Sequence, residues 1–209
     1  FLLIGLAGQM AWAIENNDIN LWVYSQTMDS NWINLMTIFS AIAATLTTFL
    51  MGALSDRLGK RKPFIAFGYI VWGVSVFAFG LFSFSNMKAQ FGSANAPFMV
   101  GLFMVITDCV MTFFGSTSND ACFNAYVTDI THEDNRGKVE SVLSVLPLFA
   151  NILVVLLLGL FGAGSISSTY KSGVSTTEDN ANAEAQPWFY FFLVFGILVA
   201  LIGVVAIFL

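Results

Sequence analysis

The stretch GALSDRLGKRKPF, residues 52–64, holds four of the chain's eight Lys and Arg residues (Arg57, Lys60, Arg61 and Lys62) within six positions. Cations are scarce elsewhere, because only 10% of the 209 residues are charged while 57% are hydrophobic. Mean hydropathy is +0.78, far above that of a soluble domain, whose residues are about one quarter charged. The composition is that of an integral, multi-pass, all-α membrane protein. A helix needs roughly 20 mostly apolar residues to cross the hydrocarbon, so this length holds about six spans and no separate soluble domain.

Apolar runs and their punctuation give spans at about 1–27, 32–55, 63–85, 97–128, 138–163 and 187–209. Pro63, Pro97 and Pro187 are read as helix starts, where a missing N–H costs nothing. Arg57, Lys60, Arg61, Lys62, Arg136 and Lys138 follow spans two and four, whereas only Lys88 and Lys171 fall in the other connections. Six cations against two put the chain ends and loop 56–62 on the cytoplasmic side, with a plasma membrane as the expected location. The net charge of −5 comes from acids in loops and spans, and argues against a nucleic-acid partner. Trp32, Trp188 and Tyr190 are read as an interfacial aromatic belt. Cys109 and Cys122 share one helix and cannot pair with each other. The opening run lacks the basic leader and cleavage site of a signal peptide. Both ends fall inside apolar runs, so a fragment is expected.

An orientation signal explains basic residues in loop 56–62 but not their order. Gly52 suits a close helix approach, Asp56 can accept backbone N–H groups, and Gly59 suits a tight turn before three cations. The order resembles the G-x-x-x-D-R-x-G-[RK]-[RK] signature that major facilitator superfamily transporters carry between helices two and three. The resemblance implies a twelve-helix carrier in two six-helix halves, with substrate between the halves near the midplane. The chain is then the N-terminal half, and the C-terminal six helices are a missing partner. It also implies a gating motif of Gly52, Asp56, Arg57, Gly59, Lys60, Arg61 and Asp129, in which Asp56 and Lys60 or Arg61 latch the cytoplasmic side. Asp129 stands at the place of the acid that pairs with the basic residue.

Polar residues inside the spans mark the functional face. Glu15, Asn16, Asn17, Asp18 and Asn20 sit near the middle of the first span, where an ionised acid costs about 2.5–3.5 kcal/mol on insertion scales. At about 100° per residue, Gln9, Asn16 and Asn20 share one face, with Glu15 and Asp18 on a neighbouring one. In span four, Asp120, Asn124 and Thr117 share a face, and Asp108, Thr112 and Asn119 another. Span five repeats the pattern with Glu140, Ser144, Pro147 and Asn151, and span two with Asn34, Thr37, Ala44, Thr45 and Thr48. A single stripe is as well explained by helix packing, whereas stripes on several spans suggest a water-filled cavity. The expected substrate and ion contacts are Glu15, Asn16, Asp18, Asp120, Asn124, Asn151 and Trp12, the indole being able to stack on a sugar ring and equally able to pack.

The segment NDACFNAYVTDIT, residues 119–131, is similar to helix four of the glycoside–pentoside–hexuronide:cation symporters, the melibiose permease-like group. On that resemblance Asp120 takes the place of the acid used for sugar and cation. Ala44 and Thr48 stand where the sodium-using members carry acids on helix two, which favours H+ over Na+. The expectation is therefore a secondary active transporter working by alternating access, with proton-coupled uptake of a sugar or glycoside. The alternatives are a transport-inactive receptor or lipid scramblase of the same fold, or a carrier for another small solute. His132 falls in a loop, and no nucleophile motif, phosphate loop or metal-spaced cluster occurs, so neither an enzyme nor a cofactor or metal is expected.

Overall fold

The computed structural model describes residues 1–161 and 177–208, the side chains of 177–184 excepted. Among the described residues the architecture is all-helical. Helix α1 covers residues 2–27, as α-helix over Leu2–Ala13 and Asn20–Thr27 with a π-helical stretch, Ile14–Ile19, between them. It is followed by α2 (Asn31–Leu58), α3 (Lys62–Phe79) and a short α4 (Phe84–Phe91). The next helix, α5, spans Ala96–Ile130 and carries a second π-helical stretch, Ser116–Phe123. Helices α6 (Glu133–Phe161) and α7 (Thr177–Ala206) complete the bundle. Helices α2, α3, α5, α6 and the Ala185–Ala206 part of α7 are each long and apolar enough to cross a membrane. Helix α1 matches them in length but carries Glu15, Asn16, Asn17 and Asp18 at its π stretch.

Several ends differ from the sequence reading for local reasons. Helix α3 stops at Phe79, and the Ser83 side chain caps α4 by accepting from Asn86 N at 3.3 Å, so part of the expected loop is helical. Pro63 and Pro97 do sit in first helical turns, but Pro187 lies inside α7, whose polar start at Thr177 extends the helix backward. The polar connection expected over 164–186 lies outside the described residues as far as 176. Pro147 falls mid-helix in α6, where the ring removes one backbone donor.

Packing pairs α3 with α7, α1 with α6, and α5 with both α2 and α3. The α3–α7 seam depends on small residues. A Cβ at Gly73 would run into the Gly196 carbonyl and the Ala200 backbone, so the two helices meet backbone to backbone. Around that seam Trp22, Trp72, Trp188, Tyr69, Phe79, Phe191 and Phe192 are fully buried. The Trp22 indole donates to the Phe79 carbonyl at 3.1 Å and lies 5.6 Å from Trp188. Trp188 is thus a core residue rather than part of an interfacial belt. Trp32 covers Gly101 and meets Phe98 edge-on at 5.5 Å, and only Tyr190 of the three stands exposed. The outward faces of α2 and α6 carry bare apolar side chains such as Phe49, Leu50, Leu148, Leu156 and Leu160, which suits surroundings of lipid or of further membrane helices.

Candidate functional site

Helices α1, α2 and α5 enclose a cavity of about 320 Å³. Trp12, Glu15, Asn16 and Asn20 reach it from α1, and Met36, Thr37, Ser40, Ala41 and Ala44 from α2. Helix α5 adds Asp108, Thr112 and Asp120. Both π stretches border this space. A π turn bonds i to i+5 and inserts one residue into the helical register, rotating everything beyond it relative to 3.6-residue periodicity. Glu15 and Asn16 lie in one such turn and Asp120 in the other.

Hydroxyl groups organise the acids. Ser40 Oγ donates to Glu15 Oε1 at 3.0 Å, Thr112 Oγ1 to the same oxygen at 3.1 Å, and the two hydroxyl oxygens are 2.8 Å apart. Asp108 packs against Ser40 and is near enough to Glu15 for their charges to interact. Asp120 accepts from Asn119 Nδ2 at 3.1 Å, and Asn119 Oδ1 in turn accepts from Tyr69 OH at 3.0 Å. Trp12 stacks at a tilt on Trp72, with ring centroids 5.0 Å apart, which fixes its indole at the cavity wall. None of the cavity's lining residues is basic. Three carboxyl groups, two side-chain amides, three hydroxyls and an aromatic face can bind a polyhydroxylated solute, a cation or protons.

The structure gathers only part of the expected site. Trp12, Glu15, Asn16 and Asp120 line the cavity. Asp18 is buried in α1 without lining it. Asn124 instead lines a separate cavity of about 220 Å³ with Gln9, Asn119, Glu140 and Ser144, while Thr117 faces an apolar groove with Phe113 and Phe114. The single face expected for Asp120, Asn124 and Thr117 is split because the π turn breaks the 100° spacing on which it rested. Asn151 accepts from Asn17 Nδ2 at 3.4 Å, a contact that ties α6 to α1. Asp108, Ser40 and Thr112 were not expected in the site. The Asp108/Thr112 spacing of i, i+4 is visible in the sequence, but nothing sets Ser40 apart from the polar stripe of Asn34, Thr37, Thr45 and Thr48 on the same helix.

At the basic end of the bundle, α2 terminates at Gly59 in the left-handed conformation, φ +61°, which glycine adopts without a Cβ clash. The turn delivers Arg61 to two acids. Its NH1 bonds Asp56 Oδ1 at 2.8 Å and its Nε donates to Asp129 Oδ2 at 2.5 Å, joining the ends of α2 and α5. Partial burial opposes the Arg61 charge, but the bond and charge of Asp129, with those of Asp56, outweigh it and raise the guanidinium pKa. Asp56 thus uses its side chain on Arg61, and the backbone bond from Gly59 N goes to its carbonyl. Among the described residues Lys60 and Lys62 form no ion pair, although Lys60, Arg61 and Lys62 share a shallow cavity with Tyr126 and Asp129. Gly52 meets only Ala121 at ordinary contact distance, so it is no point of close approach in this conformation.

A family model described as the Major Facilitator Superfamily matches residues 1–209. No curated protein and no solved structure matches the chain. A multi-pass helical fold, an acidic cavity among three helices and a match over the full sequence agree: the chain belongs to the major facilitator superfamily of membrane transporters.

Proposed function

We propose that the chain is the N-terminal six-helix half of a secondary active transporter that couples proton entry to uptake of a sugar or glycoside by alternating access. The observation that carries this reading is the cavity between α1, α2 and α5, where Glu15 and Asp120 face amides, hydroxyls and the Trp12 indole. Hydroxyl-rich solutes suit such a mixture of donors, acceptors and an aromatic wall. Ala44 and the hydroxyls of Thr37 and Ser40, rather than acids, face the cavity from α2, which favours a proton over a sodium ion. The resemblance of residues 119–131 to cation-coupled glycoside symporters supports the sugar class.

In this reading a second six-helix half completes the site across the bare faces of α2 and α6. The protein lies in the plasma membrane, with its basic loops cytoplasmic. Asp56, Arg61 and Asp129 latch the cytoplasmic side while the cavity opens outward.

The test is proton entry into proteoliposomes holding the full-length protein, driven by neutral sugars and glycosides, with Asp120→Asn in parallel. Saturable, sugar-driven proton entry that Asp120→Asn abolishes upholds the reading. Sodium-driven uptake replaces the coupling ion. Binding without uptake identifies a receptor, and lipid exchange without solute uptake a scramblase.

A further inference from the structure

We infer that Glu15 and Asp108 act as one proton-binding unit, bridged by Ser40 with Thr112 bonded to Glu15, that holds a single proton between its two carboxyl groups. The inference deepens the transport reading above and rests on it for its role, though not for its chemistry. It adds Asp108 to the site and assigns the coupling position to a pair on α1 and α5 joined by a hydroxyl from α2.

Hydrogen counting carries the argument. Ser40 and Thr112 have one hydroxyl hydrogen each. If both hydrogens point at Glu15 Oε1, the 2.8 Å approach of the two hydroxyl oxygens has no hydrogen in it. If one hydroxyl donates to the other, Glu15 Oε1 keeps a single donor. In either arrangement Glu15 Oε2 and Asp108 Oδ1 are buried with no hydrogen-bond partner. Glu15 is 8% exposed and Asp108 1%, so water satisfies neither well. One added proton supplies the missing donor: a protonated carboxyl donates while its carbonyl oxygen still accepts.

Charge points the same way. All Lys and Arg residues lie at positions 57, 60, 61, 62, 88, 136, 138 and 171, and none lines the cavity. Two ionised carboxylates would repel across a low-dielectric space without a compensating cation, and a single proton relieves that repulsion. The other ionisable groups facing the pair are Asp120 and Cys109 on α5, while Asp18 on α1 is buried without lining the cavity. Helix α2 contributes none between Asn31 and Ser55, and α6 none beyond Glu140. Asp120 adds negative charge to the same cavity and so strengthens the case for a proton rather than opposing it.

The test is infrared absorption of the full-length protein without substrate at neutral pH, reading the C=O stretch of protonated carboxyl groups, which needs no reagent to enter the cavity. Asp18 Oδ2 is also buried without a partner, so the reading is taken in an Asp18→Asn background as the difference from each variant: the expected loss is one carboxylic acid in Glu15→Gln and the same one in Asp108→Asn, with a shift in Ser40→Ala and no loss in Asp120→Asn. A band that neither Glu15→Gln nor Asp108→Asn reduces overturns the inference. So does a band of two acids that each single variant halves, because that describes two independent groups. Retention of the wild-type thermal transition shows that a variant is folded, and the charge-conserving Asp108→Glu should restore the band lost in Asp108→Asn.

Uptake under a pH gradient separates this inference from the transport reading. A band that behaves as expected without uptake of any solute leaves the pair standing and removes the carrier. Proton-driven uptake that Asp108→Asn leaves unchanged does the reverse.

Discussion

Replacing Arg61 with Gln should open the seam between the basic ends of α2 and α5, and the native Cys122 reports it. Arg61 joins Asp56 of α2 to Asp129 of α5, and its own side chain is 20% exposed against 61% and 53% for the two acids. Pairs this exposed contribute about 0.2–1 kcal/mol each, so the two together hold the seam by about 0.4–2 kcal/mol. At 1.4 kcal/mol per tenfold, that is an increase of about 2- to 30-fold in the open fraction. Cys122 is fully buried on α5, with Ser55 of α2 and the Arg61 charge beside it. Its alkylation therefore requires opening of this seam, and the rate follows the open fraction when reclosing outpaces reaction. In full-length protein with Cys109→Ala, Arg61→Gln should speed Cys122 alkylation by that factor, and Lys60→Gln should not. Combining Arg61→Gln with Asp129→Asn should add less than the two single effects, since both remove one contact. An unchanged rate in Arg61→Gln, or equal acceleration by Lys60→Gln, would refute the reasoning.

Two other outcomes follow from the same geometry. The Arg61 pKa is raised, so its contribution is fully present below the ordinary arginine value and fades only as pH climbs through the higher folded one. The ratio of alkylation rates between Arg61→Gln and its parent should accordingly match at about pH 6.5 and about pH 8.5, and a ratio that collapses at the higher value would remove the arginine as the holding charge. Along the α3–α7 seam, Gly73→Ala forces a methyl into the Gly196 carbonyl and the Ala200 backbone, an overpacking cost of about 1–3 kcal/mol. Gly159→Ala on α6 meets nothing within 4 Å and gains up to about 1 kcal/mol of helix propensity. At about 2–4 °C per kcal/mol, the first should lower the apparent melting temperature by about 2–12 °C and the second raise it by up to about 4 °C, read by tryptophan fluorescence. Equal shifts for the two alanines would contradict the close packing.

Much of the fold could be read from the residues because its causes are local. Long apolar runs dictate helices in lipid, since no other open backbone satisfies its own hydrogen bonds there, and Gly59 ends α2 where a left-handed residue is needed. Asp56 and Arg61 come together because only a short turn at Gly59 separates them, and Asp129 joins them because α5 packs on α2. The site was harder to read. Faces assigned at 100° per residue held only in part across the π turns at Ile14–Ile19 and Ser116–Phe123: Asn16 and Asn20 share the cavity, whereas Gln9, Asp18, Asn124 and Thr117 lie away from it. Ser40 and Asp108 become significant only once α2 lies on α5, a tertiary fact that neither helix announces. Trp188 looked interfacial because it follows a polar stretch, yet its ring fills the space between Trp22 and Phe192.

Solute protection of cavity positions tests the central claim most directly. In a cysteine-free full-length background, Ala44→Cys places a thiol on the α2 wall of the cavity between α1, α2 and α5, and Asn124→Cys places one in the neighbouring cavity beside Gln9. A transported solute at saturating concentration should slow alkylation at position 44 and leave position 124 unchanged. Protection at 124 with none at 44, or no protection at either by a solute the protein demonstrably moves, would contradict a substrate site formed by α1, α2 and α5.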